Sequence, residues 1–498
     1  MPYRTMTRVS RERSFVLAAT AALVVFRSLV FVLHGFIHFN SDQAIVGLMA
    51  KHLSELRALP VYFYGQHYML AVEAWAAALV FLLTGPTVWG LNLALLGFNV
   101  AVALLLVYLL ERDGGLRPLH AFVAALFFLV PPPGTTMELM NANGGNIEPF
   151  LYVLLLWVCR RKPLLFGALL AVGVLNREFT LYGLAALIVI EVADGALLRR
   201  SSLRPLAVAT VAFAAVLRSA AVLDAFGSPS GPGTITGDVV RRSGNADVLS
   251  RVCVDLSLLP PAFYRLLTSH LGQLFGGRRQ PLASLGVRSF ESQGIDGLWP
   301  LVGAVLVAAL AGFLFWSRRQ QRWPWQRELQ FGSFLLLTGG ICAIVRVLAR
   351  CGELDIMRYT LLSLLAPIGI VALFVRVEPS PLRRRAVMAV VVLWAVVSLA
   401  AHGRLLNEQM RGRVPDYYGQ LTEVLMDKGV AYARANYWVA YHVTFLSREQ
   451  LIVDSADIVR IKQYRDIVNA HSDQALHIER QPCREGVELV AGFFYACP

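Results

Sequence analysis

Long apolar runs separated by short basic clusters govern what this chain can become. The stretches 15–36, 88–110 and 386–401 hold almost no charge, and each is near or within the roughly 17–25 residues that cross a hydrocarbon core. The chain is 56% hydrophobic and 16% charged, against roughly 45–50% and 25% in soluble domains, which is a membrane composition. Candidate spans fall at 15–36, 88–110, 118–132, 148–160, 163–175, 178–195, 204–223, 297–316, 329–347, 358–377 and 385–403, and the segment 67–84 is ambiguous.

Charge orders these spans, because short cytoplasmic loops carry the Lys/Arg excess. If 67–84 is an interfacial or partly inserted helix, one side collects Arg4, Arg8, Arg11 and Arg13, then Arg112 with Arg117, and Arg160-Arg161-Lys162. It also collects Arg199, Arg200 and Arg204, then Arg318, Arg319 and Arg322, then Arg383-Arg384-Arg385, while 133–147, without a basic residue, falls on the other. A spanning 67–84 would send every cluster after the first to the wrong side. The formal charge of +13 is therefore a topology signal and no nucleic-acid footprint, since the basic residues line no single soluble face. The first run is long for a signal-peptide core and no small-residue cleavage site follows, so it reads as an uncleaved span.

The expected fold is an all-α polytopic membrane bundle of about 11–13 transmembrane helices with outer-face interfacial helices and a small C-terminal α/β domain. The bundle takes residues 1–403, with outer parts at 37–87, 133–147 and 224–296. Residues 404–498 form the extracytoplasmic domain, and the N-terminus is cytoplasmic in the inner (plasma) membrane. In the tail, helical stretches at 417–428 and 464–470, a Gly429 suited to a helix end, and β-prone runs at 430–433 and 451–453 predict this soluble unit.

Six cysteines include no CxxC and no Cys/His cluster at metal spacing. Cys159 and Cys342 lie in spans. Cys253, Cys351, Cys483 and Cys497 fall in outer segments where disulfides form, with pairing left open.

Candidate chemistry gathers on the outer side. Ser41-Asp42-Gln43-Ala44 follows the first span and opens a helix whose stripe of Ile45, Leu48, Met49 and Leu53 suits a membrane surface. An acid in a helix's first turn behind a Ser cap is also ordinary capping. Tyr62, Tyr64, Gln66, His67, Tyr68 and Glu73 make a cluster suited to a sugar platform and equally to an aromatic belt. The turn-rich 133–147 offers Glu138, with Glu148 at the next span's start. Arg177 and Glu178 read as a charged pair between spans. Arg358-Tyr359 opens a late span, where an arginine can snorkel or grip a phosphate. Arg27, mid-span, demands a partner. There is no Walker loop, GxGxxG, HExxH or Ser/His/Asp signature, so an outer-face transferase would need a donor other than a nucleotide.

These features together resemble the multispanning glycosyltransferases of the C superfamily, in particular bacterial members similar to the protein mannosyltransferases and the aminoarabinose transferase, over about residues 15–403. Ser41-Asp42-Gln43-Ala44 is similar to their Asp-Glu motif after the first span, with Gln43 where Glu is usual. Arg358-Tyr359-Thr360-Leu361 is similar to their Arg-Tyr-Leu opening of a late span. The second outer loop lacks the usual Asp and offers Glu138 or Glu148. Tyr437-Trp438 and Tyr441, before Phe445-Leu446-Ser447, resemble a tail of some bacterial members.

The resemblance implies transfer of a monosaccharide from a polyprenyl-phosphate donor to an acceptor hydroxyl on protein, lipid or glycan, in glycosylation of the cell envelope. Asp42 would be the general base, with inversion, and Arg358 would stabilise the departing phosphate, with Arg177 a second candidate. Gln43, Tyr64, Gln66, His67, Glu73, Glu138, Glu148 and Tyr359 would complete substrate binding. No cofactor is implied, and a divalent metal stays open. Two other readings remain: a transporter or flippase of lipid-linked sugar, favoured by Arg27, and a polymerase or ligase of surface polysaccharide.

Overall fold

The computed structural model of the protein describes residues 2–66, 68–195, 203–227, 256–276, 329–348, 357–411 and 415–498. His67, most of the insertion 224–296, the expected span 297–316, Cys253, Cys351 and the arginines at 199, 200, 318, 319 and 322 lie outside the described residues.

The bundle is built from α1 (Pro2–Leu33), α2 (Ser41–Ser54), α3 (Val72–Thr84), α4 (Val88–Arg112), α5 (Pro118–Leu129), α6 (Pro133–Leu139), α7 (Glu148–Cys159), α8 (Pro163–Asn176), α9 (Thr180–Ala193) and α10 (Leu203–Gly227). Then come α11 (Gln330–Leu348), a 3-10 turn (Met357–Leu364) running into α12 (Leu365–Val377), and α13 (Pro381–Met410). Among the described residues six helices are long and apolar enough to cross a membrane, or seven if α5 and α6 count as one bent span. Three expected spans appear as the shorter α7, α8 and α9, of 12, 14 and 14 residues.

Proline explains several boundaries. It opens α5, α6, α7 and α8, where its missing N–H costs nothing. The run Pro131-Pro132-Pro133 stops α5 at Leu129 and turns the chain by 85° into α6, because proline supplies no N–H to continue a helix. The expected span 118–132 is shorter for this reason. The stretch 133–147, expected as a turn-rich loop, begins as helix α6 and is buried along most of its length. It is bonded inward: Asn99 Nδ2 donates to the Leu139 carbonyl at 2.9 Å, and Thr135 to the Leu274 carbonyl at 2.8 Å.

Arg27 finds its partner on α4, donating to Asn99 Oδ1 at 2.7 Å with its guanidinium 5.2 Å from the Phe128 ring.

The tail comprises α14 (Tyr417–Asp427), β1 (Tyr432–Ala435), α15 (Tyr437–Leu446), β2 (Ile452–Ser455), α16 (Lys462–Ala470), β3 (Leu476–Glu479), β4 (Val487–Val490) and β5 (Phe494–Cys497). Its five-stranded sheet has the order β2-β1-β3-β5-β4. β1 runs parallel to both β2 and β3, pairing Ala433 with Val453 and Leu476, and β5 is antiparallel to its neighbours. Gly429 ends the first tail helix region with φ +67, a left-handed position that costs glycine little. Cys483 and Cys497 are disulfide-bonded, while Cys159 and Cys342 are free.

Helix α15 joins the two parts. Tyr437, Tyr441 and Phe445, spaced as one helical face, pack into the core of the bundle. Val439, Ala440 and Val443 on the other face pack into the core of the tail.

Candidate functional site

Asp42 reaches its position through local capping. Asn40, not Ser41, caps α2, its side chain accepting from Gln43 N at 3.2 Å. Ser41 is the first helical residue and is fully buried. Asp42 then stands in the first turn, half-buried. Gln43 turns inward as a clasp: its Nε2 donates to the His38 carbonyl at 2.6 Å and its Oε1 accepts from Ala142 N at 3.4 Å. The amide thus ties the α2 entrance to the 133–147 segment, a double role for which a side chain needs both donor and acceptor.

The stripe expected to rest on a membrane surface is instead enclosed. Residues from Gln43 to His52 are buried, with α3 on one side and α15 on the other. At Gly47 the approach is so close that a Cβ would lie 2.5 Å from Phe445 Cε2. An apolar stripe looks the same from sequence whether lipid or protein covers it.

Asp42 Oδ1 accepts a 2.5 Å hydrogen bond from the Tyr437 hydroxyl of the tail. Burial first, and then the Asp42 charge, hold the Tyr437 phenol above its ordinary range, so it stays protonated and donates. Asp42 Oδ2 has no hydrogen-bond partner among the described residues.

The 60–70 segment forms a small turn in which Tyr62 bridges Leu70 and Phe63 N donates to the Met69 carbonyl at 2.9 Å. Gly65, at φ +73, lets this turn approach Arg460 of the tail. The Arg460 guanidinium lies 5.3 Å from the Phe63 ring and 5.9 Å from the Tyr437 ring, and the Gln66 amide oxygen faces its Nη1 and Nη2 at 2.8 and 3.2 Å. Tyr64 is buried and bonded to His52 Nδ1 at 3.0 Å.

A second cluster lies beneath this turn, on the 141–148 segment. Glu73 Oε2 accepts from Gly144 N at 2.9 Å, and Glu148 Oε2 from Gly145 N at 3.3 Å. Both acids are buried. Burial, then the Glu148 charge, push the Glu73 carboxyl well above the usual range, as expected of a carboxyl taken out of water beside a like charge. Arg177 donates through Nε to the Gly144 carbonyl at 2.9 Å and through Nη2 to Met69 Sδ at 3.2 Å. The expected Arg177–Glu178 pair is therefore absent among the described residues. Arg177 has extended backbone angles that send neighbouring side chains apart, and Glu178 is exposed.

The third group surrounds the late helix start. Arg358 lies 5.6 Å from the Tyr359 ring, and Tyr359 meets Phe179 edge-on at 5.6 Å. Glu138, half-buried and bonded through Oε2 to Asn146 at 3.3 Å, is close enough to attract the Arg358 charge. Arg358 makes no hydrogen bond among the described residues, and its buried Nε is unpartnered.

Sequence reasoning found no role for Tyr437, Arg460 or Glu449. Glu449 receives Lys51 Nζ at 2.5 Å, His52 Nε2 at 3.0 Å, Tyr464 Oη at 2.7 Å, and Arg57. The available signal was Asn436-Tyr437-Trp438, a capped helix start directly after a strand. Among the described residues no group of three or more His, Cys, Asp or Glu side chains is arranged to hold a metal.

No family profile and no curated protein matches the sequence. Its fold does match solved structures. ArnT from Cupriavidus metallidurans bound to undecaprenyl phosphate superimposes with a TM-score of 0.58 at 13% identity, covering 97% of each chain. The apo form of the same protein gives 0.53 at 12% identity, over 96% of this chain and 98% of that one. The apo oligosaccharyltransferase of Archaeoglobus fulgidus gives 0.51 at 14% identity, over 94% of this chain and 69% of that one. Over nearly its full length, this chain therefore has the polytopic fold of these solved structures.

Proposed function

We propose that the protein transfers a monosaccharide from a polyprenyl-phosphate carrier to an acceptor hydroxyl on the extracytoplasmic face of the plasma membrane. The observation that carries this reading is Asp42, half-buried where tail meets bundle with one carboxylate oxygen unbonded, in a fold similar over its whole length to a structure that holds undecaprenyl phosphate.

In this mechanism Asp42 takes the acceptor's hydroxyl proton while the acceptor oxygen bonds to the anomeric carbon from the face opposite the phosphate. The carbon–oxygen bond to the phosphate breaks, its electron pair leaves with the polyprenyl phosphate, and configuration inverts. Proton transfer of this kind contributes roughly 10²–10⁴ in rate. Arg358, whose fork lacks a hydrogen-bond partner among the described residues, receives the departing phosphate. In this reading Tyr64, Gln66 and Glu73 orient sugar and acceptor, and Glu138 holds Arg358 by charge, while His67, the fourth candidate, lies outside the described residues. No step in this mechanism runs through a metal, and a divalent ion beside the donor phosphate stays open. The flippase reading leaned on Arg27, whose Nη2 donates to Asn99 inside the bundle while its buried Nε and Nη1 have no hydrogen-bond partner among the described residues.

The test is label transfer from a panel of polyprenyl-phosphate sugars, an oligosaccharide donor included, by membranes bearing wild type or Asp42→Asn. Consumption of one donor by wild type and loss of turnover in the variant are expected. Label crossing sealed vesicles without bond cleavage would replace this reading by a flippase.

A further inference from the structure

The contact between Asp42 and Tyr437 joins residues 395 positions apart and uses one carboxylate oxygen. Tyr437 is held on several sides: its N–H donates to Asp457 Oδ1 at 2.7 Å, and its ring meets Trp438 at 5.1 Å and Tyr441 at 5.4 Å, both near edge-on. The Arg460 guanidinium flanks the same ring and is itself gripped by Gln66. With 3% exposure the phenol has little room to swing away.

We propose that Tyr437 is a positioning residue for the transfer: it ties Asp42 Oδ1 and so leaves Oδ2 as the oxygen that takes the acceptor's proton. This rests on the reading of Asp42 as base. A carboxylate free to turn about its Cβ–Cγ bond would present either oxygen in any plane, and a fixed donor removes that freedom before the acceptor arrives. The charged groups that act on the Tyr437 phenol are Asp42 on α2 and Arg460 on the segment after β2. The tail thus contributes a side chain to the site rather than only covering it.

The experiment uses the full chain in membranes with the donor that wild type consumes, comparing Tyr437→Phe with a ring-fluorinated tyrosine at the same position, which keeps the shape and donates more strongly. Loss of one charge-assisted hydrogen bond predicts about a tenfold to hundredfold fall in kcat for the Phe variant, with donor KM unchanged. It also predicts an acid limb of the kcat–pH profile moved upward, while the fluorinated residue moves it downward. An acid limb unmoved in both variants overturns the proposal whether or not the rate falls, since a packing role alone would change rate without changing the base. If wild type turns over and Asp42→Asn does not, such a result removes Tyr437 and keeps the base. If Asp42→Asn retains full rate, the base reading fails and takes this inference with it.

Discussion

Arg177 and Arg358 approach the same ring pair, Phe179 and Tyr359, yet their donors are committed differently. Arg177 is occupied by the Gly144 carbonyl and Met69 sulfur, and only glycine fits opposite it. A Cβ at Gly145, where φ is +105, would lie 2.3 Å from Arg177 Cγ. Arg358 keeps its guanidinium without a hydrogen bond among the described residues, and a buried donor left unsatisfied is costly until acceptor oxygens arrive. Arg358→Ala is therefore expected to raise donor KM by about tenfold to a hundredfold, with thermal unfolding unchanged, and Arg358→Lys to recover only part, having lost the planar fork. Arg177→Ala is expected to do the reverse, lowering the unfolding temperature by uncovering the Gly144 carbonyl beside the buried Glu73 and Glu148 carboxyls. Donor titrations beside melting curves separate the two, and swapped behaviours would exchange their roles. Both arginines were legible in the sequence as basic residues at helix ends. Which one is committed was not, because that depends on a carbonyl 33 residues away.

At the scale of elements, the period of apolar residues revealed most helices of the bundle, the tail helices α14 and α16 and the first two tail strands, since each depends on neighbours a few positions apart, but not α6, expected as loop, or α15. What covers α2 was hidden, because Phe445 and Tyr437 return to it nearly 400 residues later. The antiparallel pairing of β3 with β5 was hidden for the same reason. Helix α15 carries a consequence in His442, which stacks on Tyr418 at 3.9 Å and meets Phe39 of the bundle edge-on at 4.8 Å. Burial lowers its imidazole to about 3, whereas an unfolded histidine titrates near 6.5. The unfolded state thus binds the extra proton first, so this helix's contribution is complete above about pH 6.5 and declines as pH falls toward 3, by up to roughly 1.4 kcal/mol per pH unit. His442→Phe keeps a ring in the stack and is expected to flatten melting temperature against pH between about 6.5 and 4.5. An unchanged slope would assign that dependence to other groups.

For the whole molecule, the tail holds α2 near both ends. Tyr437 bonds Asp42 at the start, and Glu449 gathers Lys51, His52 and Arg57 near the finish, about 15 Å further along the helix. Asp42 thereby stands on a helix held by both bundle and tail, an arrangement that suits a site needing reproducible geometry. Burial alone would raise the Glu449 carboxyl, but hydrogen bonds from His52 and Lys51 hold it well below the usual carboxylate range. Its folded value is thus depressed relative to about 4.3 in the unfolded chain. The stabilisation is complete above about pH 4.3 and is lost as pH falls toward the folded value, a lower window than that of His442. Glu449→Gln removes the charge and leaves Lys51, 7% exposed, with Glu55 as its remaining counter-ion among the described residues, a loss below the roughly 3–5 kcal/mol of a fully buried pair left uncompensated. Hydrogen exchange across 41–54 is expected to accelerate in this variant at neutral pH, most strongly at 48–54. Its melting temperature should lose the extra fall below about pH 4.3 that wild type shows. Exchange confined to the tail, with α2 still protected, would mean that the bundle alone holds the helix bearing Asp42.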